Sequence, residues 1–492
     1  MIRTRHALLL LVCASLACQT LLPIAEHPSG TPTAAPTTAP TATPRPTSTP
    51  EPTARPTDSP PPTLQLWMGA VRACGYQPGV SVPAQMPAEV LAGAAPTPYP
   101  PPTPPTPSAV GAEITARQLR VYRSLWDTAN ENYIYADFNG HDWKAIGQKY
   151  RALVKAGLTD DDFYRVMNDM IAELGDEHSF YESPGEVQET DASYAGNNDY
   201  VGIGVLISAV PQARRGVIIF AFPGSPAAEA GLGAHDSILA VNGEPLLDET
   251  GGLRDIVRGP EGTSVTLTVQ HPGGEPFDAA LIRRRITGAA PIDYCLVPGA
   301  RLGYLFLPGL DDGTIPEQMR DALAAFAEAG PLDGLVLDNR QNGGGASDIL
   351  EQVLGLFTSG TVGHFVSRAE TRPLEIMGGD VGGSQSVPLV VLVDVDTASF
   401  GEVLSGVLQA SGRARVVGQT TLGNVEILWG YDFEDGSRAW IAHDTFQPVG
   451  LPNGVWEDTG IVPDVFVPTR WDLFTEATDP ALAKAVELLS AP

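Results

Sequence analysis

Ser399 stands at the junction of two sequence patterns, and its hydroxyl is the first candidate for chemistry. The apolar stretch 387–394 predicts a buried strand, and residues 400–411 predict a helix. A serine between them lies near the positive end of the helix dipole, where the first backbone N–H groups have no intrahelical acceptor. Two roles suit this place: a nucleophile, or a plain N-cap of the helix, for which serine is favoured.

A second junction carries three consecutive glycines. Residues 338–345 read Asp-Asn-Arg-Gln-Asn-Gly-Gly-Gly and separate a predicted strand, 334–338, from a predicted helix, 346–356. Glycines at a strand-to-helix junction let the backbone approach a ligand closely and direct N–H groups towards it. This glycine turn therefore indicates an anion-stabilising site, with a tight packing turn as the alternative.

A serine hydroxyl needs an adjacent base before it becomes a useful nucleophile. No lysine occurs between residues 156 and 483, so a local serine–lysine pair is excluded from the central part of the chain. His178 and His443 are the candidate bases. His178 follows a predicted helix, 163–174, and histidine is also favoured at a helix end for electrostatic reasons alone.

Segments 396–402 and 418–424 together resemble the active-site core of the carboxyl-terminal-processing, or tail-specific, serine peptidases. That family has a general-base lysine at the position of Asn424, and a neutral amide cannot usefully accept a proton. The resemblance extends to the glycine turn. It implies that the N–H groups of Gly344 and Phe400 form an oxyanion hole for a tetrahedral intermediate.

A histidine replaces the lysine in the tricorn-core branch of these peptidases. Residues 175–179 resemble that branch's Gly-x-x-His-Ser/Thr segment, and residues 456–464 resemble its motif with a glutamate before Gly-Val-x-Pro-Asp. The resemblance implies a triad in which Ser399 is the nucleophile, His178 is the base and Glu457 is the carboxylate that orients the imidazole.

Three polar residues near these motifs have expected supporting roles. Glu402 fits the family's Ser-x-x-Glu pattern and is expected to shape the start of the helix. Glu177 stands where the tricorn-core branch has a serine before the histidine. Asn424, although it is no base, is suited to orienting a water, a loop or a neighbouring group.

Residues 200–286 form a strand-rich unit with predicted short helices at 225–230 and 253–257. Its Gly-Ile-Gly loop, its Gly-Ser-Pro-Ala-Ala-Glu-Ala-Gly-Leu helix and its Val-Asn-Gly turn together resemble a PDZ domain. The resemblance implies that an extended peptide adds as a strand and that loop N–H groups receive its terminal carboxylate. A purely structural lid is the alternative. The peptide-binding loop consists of Gly202, Ile203, Gly204 and Val205.

The first residues have the features of an exported bacterial protein. Residues 1–17 combine a charged start with a short apolar run, which is typical of a secretory signal peptide. The Ser-Leu-Ala-Cys tetrad that ends at Cys18 resembles a lipobox, so Cys18 is the expected lipidation site, with simple secretion as the alternative. Cys74 and Cys295 could form a disulfide in an oxidising compartment, a pairing that the sequence alone leaves open.

The chain has 492 residues and a formal net charge of −28. This acidity argues against nucleic acid or an anionic membrane as the main partner, so membrane contact is expected only through a lipid anchor. The sequence contains no His-Glu-x-x-His motif, no clustered cysteines and no phosphate loop. Neither a metal nor a cofactor is therefore expected.

These patterns predict an α/β protein built from consecutive parts. The parts are a signal peptide at 1–17, a Pro/Thr-rich linker at 18–112 with a short island at 64–93, a helical N-terminal domain at 113–190, a PDZ domain at 198–288, a peptidase core at 291–476 and a C-terminal helix at 477–492. The family resemblance implies a ClpP/crotonase-like α/β fold for the core.

The expected function is that of an exported serine endopeptidase, lipid-anchored at the cell surface or on the outer face of the cytoplasmic membrane. The resemblance implies protein or peptide substrates that are captured through their C-termini. Two alternatives stay open. One is a catalytically inactive peptide-binding protein, and the other is a zymogen-like state in which the placement of the PDZ domain gates activity.

Overall fold

The structure is a computed structural model that describes residues 71–77, 107–197 and 199–490. The expected signal peptide, Cys18 and the linker apart from 71–77 and 107–112 lie outside these ranges. Within them, no helix has the length and apolar character needed to cross a membrane.

The helical N-terminal domain is built around one amphipathic helix. Its elements are α1 (Ala112–Asn132), α2 (Trp143–Lys155), α3 (Asp160–Ala172), the short strand β1 (Phe180–Glu182) and α4 (Pro184–Tyr194). Val121, Leu125 and Ala129 recur at helical spacing on α1 and are fully buried in the core of the domain. The hydroxyl of Thr159 caps α3 by accepting the N–H of Asp162 at 3.2 Å. The predicted helical segment is thereby confirmed.

The next unit is a small β-rich domain. Its elements are β2 (Tyr200–Gly202), β3 (Val205–Val210), β4 (Arg215–Ala221), α5 (Pro226–Glu229), β5 (Ser237–Val241), β6 (Glu244–Pro245), β7 (Ser264–Gln270), β8 (Phe277–Ile282) and β9 (Arg284–Ile286). The main sheet has the order β3-β4-β5-β7-β8 with β6 on β5, while β2 pairs with β9. Ile218, Ile238 and Leu267 form its fully buried centre.

The short helix expected at 253–257 is not formed, and a turn takes its place. Leu247 and Leu253 pair instead as an isolated antiparallel bridge. The carboxylate of Asp248 accepts the N–H groups of Thr250 at 2.8 Å and Gly252 at 3.0 Å. These bonds hold a turn at 248–252, and the bridge to Leu247 gives the following segment an extended start in place of a helix.

The remaining chain forms the α/β core. Its strands are β10 (Asp293–Leu296), β11 (Leu302–Phe306), β12 (Gly334–Asp338), β13 (Gly360–Val366), β14 (Thr371–Ile376), β15 (Leu389–Val393), β16 (Ala414–Gly418), β17 (Ile427–Asp432), β18 (Arg438–Pro448) and β19 (Val465–Phe466). Its helices are α6 (Ile315–Ala329), α7 (Ser347–Gly355), α8 (Phe400–Ala410) and α9 (Pro480–Ser490).

The central sheet of the core has the order β10-β11-β12-β15-β16-β19, and every pair except β10–β11 is parallel. The strands β11, β12 and β15 are buried along their whole length, as expected for a parallel sheet covered by helices. Asp338 at the end of β12 pairs in register with Leu392 of β15. The glycine turn and the Ser399 elbow therefore leave the sheet at the same edge.

A second sheet joins the helical domain to the core. Its order is β1-β18-β13-β14, with β17 also on β18. The strand β1 pairs antiparallel with β18, so that Phe180 lies opposite Trp440. This pairing fixes the residues just before β1, including His178, beside the core.

The segment 71–77, the described part of the linker island, lies along the edge strand β10. A disulfide joins Cys74 to Cys295. The N–H of Cys74 donates to the carbonyl of Leu296 at 2.9 Å, and the N–H of Leu296 donates to the main-chain carbonyl of Arg72 at 2.9 Å. The sequence left this cysteine pairing open, and the structure forms it.

The PDZ-like domain contacts the core through His235. Its Nδ1–H donates to the carbonyl of Trp471 at 2.9 Å, and its ring lies 4.5 Å from that of Trp471 and 4.6 Å from that of Phe474. Burial lowers the pKa of His235 to about 4, so the imidazole is neutral at physiological pH.

Candidate active site

Ser399 occupies a strained elbow between β15 and α8. Its backbone lies at φ 51° and ψ −128°, a region that residues other than glycine rarely adopt. Two main-chain hydrogen bonds hold the elbow. The N–H of Ser399 donates to the carbonyl of Asn424 at 2.9 Å, and the N–H of Ala398 donates to the carbonyl of Asn342 at 3.0 Å. The side chain is half-buried. A strained serine at a strand-to-helix turn is typical of a nucleophile elbow.

Glu402 connects the elbow to the following loop. Its buried carboxylate accepts the N–H groups of Ser399 at 3.2 Å, Gly423 at 2.7 Å and Asn424 at 2.9 Å, together with the hydroxyl of Thr421. Burial raises the pKa of Glu402, although these hydrogen bonds oppose the rise. With both oxygens occupied by these donors, the carboxylate shapes the helix start and the 421–424 loop.

Gly344 and Phe400, the expected oxyanion donors, lie against the elbow. A Cβ atom at Gly344 would lie 2.7 Å from Cβ of Ser399 and 2.9 Å from the nitrogen of Phe400, at a φ of +97°, so a side chain does not fit there. The N–H of Phe400 belongs to the first turn of α8, where intrahelical acceptors are lacking. The N–H of Gly344 donates to Oδ1 of Asn342 at 2.9 Å. In this conformation one of the two expected donors is therefore already engaged.

The glycine turn is anchored by a buried ion-pair network. The guanidinium of Arg340 pairs with Asp338 and with Asp479, each at 2.5 Å, and all three side chains are almost completely buried. The same guanidinium lies 4.9 Å from the ring centroid of Trp471 and 5.4 Å from that of Phe474. The aromatic rings that receive the PDZ-like domain thus also cover the base of the glycine turn.

His178 is fixed by a turn between α3 and β1. The carboxylate of Asp176 accepts the N–H groups of His178 at 3.0 Å and Ser179 at 2.9 Å, and the Ser179 hydroxyl at 2.6 Å. The Ser179 hydroxyl in turn accepts the N–H of Ala442 on β18 at 3.0 Å. These contacts hold the imidazole, whose side chain is only 12% exposed.

The carboxylate beside His178 belongs to Glu426. Oε2 of Glu426 lies 3.7 Å from Nδ1 of His178, and Glu426 is only 3% exposed. The phenol of Tyr135 donates to Oε1 of Glu426 at 2.9 Å. Sequence reasoning missed Glu426, although an acidic residue inside the apolar run 425–429 was a signal that something had to pair with it.

Glu457 lies behind Glu426. Its Oε2 accepts the N–H of Val425, the residue before Glu426, at 2.8 Å. The interaction of its carboxyl group with that of Glu426 raises the pKa of Glu457. The described residues show no carboxylate oxygen of Glu457 within 4.0 Å of a His178 nitrogen. The expected direct contact between Glu457 and the imidazole is not formed in this structure; the carboxylate that faces Nδ1 of His178 is that of Glu426.

The two carboxyl groups have opposite shifts in pKa. Burial and the adjacent charge of Glu426 raise the pKa of Glu457 to about 9. Burial alone would raise the pKa of Glu426, but the contacts with His178, Glu457 and Tyr135 outweigh it and lower the pKa. At neutral pH the two carboxyl groups therefore hold one proton between them.

Asn424 connects the elbow to the histidine segment. Its main-chain carbonyl accepts the N–H of Ser399, while its Nδ2 donates to the carbonyl of Glu177 at 3.2 Å. Glu177 precedes His178 directly and adopts a positive φ of 56°. The residue at the family's lysine position thus joins the segments that carry the candidate nucleophile and the candidate base.

His443 belongs to a different cluster. Its Nδ1 lies 3.2 Å from Oδ2 of the buried Asp444, and its ring stacks on Trp429 with centroids 4.1 Å apart. Asp444 also accepts the indole N–H of Trp429 at 2.9 Å and pairs with Arg372 at 3.1 Å. In the part of the chain that the structure describes, no hydrogen bond or ion pair joins Ser399 to His443 or to His178.

The expected peptide-binding loop lies between β2 and β3. A Cβ atom at Gly204, whose φ is +75°, would lie 2.3 Å from Cβ of Ser225, so a glycine is required there. The carbonyl of Ile203 accepts the N–H of Ala227 at 3.0 Å. The guanidinium of Arg258 lies 5.0 Å from the ring centroid of Tyr200, at the start of the loop. The same guanidinium lies 3.7 Å from Glu189 and 4.0 Å from Asp255, so these carboxylates partly offset its charge.

Comparisons with known proteins assign the same parts. Family models match Peptidase family S41 at residues 301–467, the Tricorn protease C1 domain at 117–172 and a PDZ domain at 222–271. These matches confirm the resemblance inferred from the motifs.

Two relatives and one solved structure extend these matches over most of the chain. A carboxyl-terminal-processing protease of Synechocystis sp. is 30% identical over 388 residues, covering 76% of this chain and 86% of that protein. The chloroplastic carboxyl-terminal-processing peptidase 3 of Arabidopsis thaliana is 27% identical over 401 residues, covering 78% of this chain and 76% of that protein. The structure of a photosystem II D1 C-terminal processing protease superposes with a TM-score of 0.52 at 24% identity, covering 76% of this chain and 97% of that one, and supports the α/β fold. The chain therefore belongs to the carboxyl-terminal-processing proteases of peptidase family S41, which are serine-type peptidases with a PDZ domain.

Proposed function

We propose that the protein is an exported serine endopeptidase in which Ser399 is the nucleophile and His178, instead of a lysine, is the general base. One observation carries this proposal. The imidazole of His178 is held beside a buried carboxylate and is tied through Asn424 to the Ser399 elbow. A histidine fixed in this way has the partners that a general base needs.

The chemistry follows from the orientation of the imidazole. Nδ1 of His178 faces Glu426, which leaves Nε2 to take the proton of the Ser399 hydroxyl. The serine oxygen then attacks the scissile carbonyl carbon, and the oxyanion forms beside the N–H groups of Phe400 and Gly344. His178 passes its proton to the leaving amine. A water molecule, deprotonated by the same histidine, hydrolyses the acyl-enzyme.

Substrate capture is proposed for the PDZ domain. The loop 202–205 would receive the terminal carboxylate of a protein or peptide on its N–H groups, with Arg258 adding positive charge nearby. An extended segment upstream of that terminus would add to the domain as a strand. Recognition of C-termini in particular rests on the PDZ resemblance together with this placement of charge.

A gated or catalytically inactive peptide-binding protein is the second candidate, and one contact favours it. The N–H of Gly344 donates to Asn342 and must turn away before it can stabilise an oxyanion. If binding in the PDZ domain drives that change, C-terminal peptides should stimulate turnover. If nothing drives it, the protein binds peptides without cleaving them.

Export and lipid anchoring form a separate proposal. The signal-like start and the Cys18 lipobox support it, and the Cys74–Cys295 disulfide agrees with an oxidising compartment. Metabolic labelling with a fatty-acid analogue tests it. Label should enter the wild-type protein and be absent from Cys18→Ala, and an unlabelled wild-type protein in the soluble fraction would contradict anchoring.

Labelling by a fluorophosphonate probe tests the catalytic proposal. The wild-type protein should be labelled, whereas Ser399→Ala and His178→Ala should not. His443→Ala is the matched control and should label like the wild type. Folded wild-type protein that stays unlabelled, even with C-terminal peptides present, would establish the inactive alternative. Normal labelling of His178→Ala with loss in His443→Ala would show that the base was assigned wrongly.

A further inference from the structure

We propose that Glu426 is the carboxylate that positions His178, and that Glu457 acts behind it as a hydrogen-bond donor to Glu426. The inference rests on the proposed function and assigns a positioning role that neither the motifs nor the comparisons identify. In place of a Ser–His–Glu457 triad, the imidazole contacts Glu426, and Glu426 contacts Glu457. Glu457, the residue that matches the tricorn-core glutamate, therefore does not contact the imidazole directly.

The first argument is the geometry around the imidazole. Nδ1 of His178 is buried and has no hydrogen-bond partner among the described residues. The carboxylate oxygen that faces it, Oε2 of Glu426, lies 3.7 Å away. A movement of less than about 1 Å would give a hydrogen bond, and catalytic hydrogen bonds commonly tighten when substrate binds.

The second argument is the set of donors around each carboxyl group. Glu426 accepts the Tyr135 hydroxyl and faces His178, so positive or donor groups surround it. Glu457 accepts the N–H of Val425, and the charges of Glu426 and Asp458 both raise its pKa. Two carboxyl groups in contact cannot both be ionised without a large cost, so one keeps a proton. The surroundings place the charge on Glu426 and the proton on Glu457.

The groups that titrate around the pair come from several elements. Tyr135 approaches from the segment after α1, Asp176 and His178 from the turn before β1, and Asp458 from the residue after Glu457. Among these residue types, histidine is the one whose unperturbed titration falls between about pH 5 and 8. A change in the acidic limb of the activity profile therefore reports on His178.

Two glutamine variants separate the roles of the two carboxyl groups. In Glu457→Gln the amide keeps a donor towards Glu426 and an acceptor for the N–H of Val425, so the rate constant of fluorophosphonate labelling should fall by about 3- to 10-fold, far less than in Glu426→Gln. In Glu426→Gln the imidazole loses its anionic partner, so the rate constant should fall by roughly 10²-fold or more.

The pH profile distinguishes positioning from a general loss of structure. In Glu426→Gln the midpoint of the acidic limb should move to lower pH by about 1 unit, because an anion no longer favours the protonated imidazole. In Glu457→Gln this midpoint should not move. Glu426→Asp keeps the charge on a shorter side chain, so it should label slowly with an unmoved midpoint. It also provides the test if Glu426→Gln does not fold.

The opposite pattern would overturn the inference. A large loss with a shifted midpoint in Glu457→Gln, and a wild-type profile in Glu426→Gln, would make Glu457 the positioning residue. The proposed function fails separately: the wild-type protein is then unlabelled, or its labelling does not depend on His178. If labelling requires His178 but is indifferent to Glu426→Gln and Glu426→Asp, only the present inference is wrong.

Discussion

The main-chain carbonyl of Asn424 accepts a hydrogen bond from the N–H of Ser399 at 2.9 Å. The side-chain amide of the same residue donates to Glu177, directly before His178, at 3.2 Å. The residue at the position of the family's lysine therefore links two segments by hydrogen bonds, the Ser399 elbow and the segment that carries His178. The neutral side-chain amide makes this contact with the Glu177 carbonyl without adding a charge there.

Removing the side chain of Asn424 should affect activity more than stability. Asn424→Ala keeps the main-chain bond to Ser399 but loses the bond to Glu177, so the labelling rate should fall about 5- to 10-fold, equivalent to one hydrogen bond of about 1 kcal/mol. The measurement is fluorophosphonate labelling beside thermal unfolding. Leu422→Ala, in the same loop with a side chain that is 42% exposed, is the control and should label normally. An unchanged rate in Asn424→Ala would show that the hydrogen bond to Glu177 has no role.

Replacing Arg340 should destabilise the core strongly. Arg340→Met leaves the buried carboxylates of Asp338 and Asp479 without a counter-charge, and breaking such a pair costs about 3–5 kcal/mol. Chemical denaturation followed by tryptophan fluorescence measures the loss. The control makes the same change at an exposed pair: Arg301→Met, beside Asp333, should unfold like the wild type. Equal stability of the two variants would contradict the assignment of Arg340 as an anchor of the glycine turn.

His235 should make the docking of the PDZ domain sensitive to acid. Burial depresses its pKa from 6.5 to about 4 in the folded state, so the stabilising contribution is complete above pH 6.5 and is lost as the pH falls towards 4. The loss corresponds to about 3 kcal/mol of unfolding free energy. His235→Asn keeps a donor for the Trp471 carbonyl and tolerates the φ of 75° at this position, but it does not titrate in this range.

The measurement for His235 is the stability of the two proteins from pH 7 to pH 4. The difference between the wild type and His235→Asn should change across this window and stay constant above it. Both proteins contain the same carboxyl groups. Taking the difference between their unfolding free energies at each pH therefore removes the contribution of those groups. A constant difference over the whole range would show that His235 is protonated without cost in the folded protein.

Loss of the disulfide should lower the stability of the core and release the segment 71–77. The bond closes a loop between residues 221 positions apart, and a crosslink of this length contributes about 2–5 kcal/mol by limiting the unfolded chain. The double variant Cys74→Ser/Cys295→Ser should melt at lower temperature than the oxidised wild type. A reductant should lower the melting temperature of the wild type. The same reductant should leave the melting temperature of the double variant unchanged. Identical melting of the wild type with and without reductant would contradict the prediction.

Local patterns predicted the elements that depend on neighbouring residues. The sequence predicted the elbow at Ser399 and the glycine turn correctly. Each of them lies between an apolar run and a helix-compatible segment that are close in sequence. The prediction of a helix at 253–257 was wrong because its apolar spacing suits a helix, whereas Asp248 stabilises a turn at 248–252, directly before it. Periodicity does not register such a side-chain bond to the backbone.

The arrangement of Glu426 and Glu457 beside His178 depended on contacts between distant segments and could not be predicted. His178 lies just before β1, and Glu426 lies just before β17. Both strands pair with β18, and this shared partner brings the two residues together. A motif comparison identified Glu457, yet it could not tell a direct neighbour of the imidazole from a residue one step behind it. Non-local strand pairing decided the difference.

The disulfide between Cys74 and Cys295 also changes what a cut in the chain would do. Every peptide bond between the two cysteines lies inside a covalently closed loop that contains the helical domain and the whole PDZ domain. A single nick in this stretch, by the protein itself or by another peptidase, would leave both fragments joined. The nicked protein would migrate as one species without reductant and as two with it, so self-cleavage would be visible only after reduction.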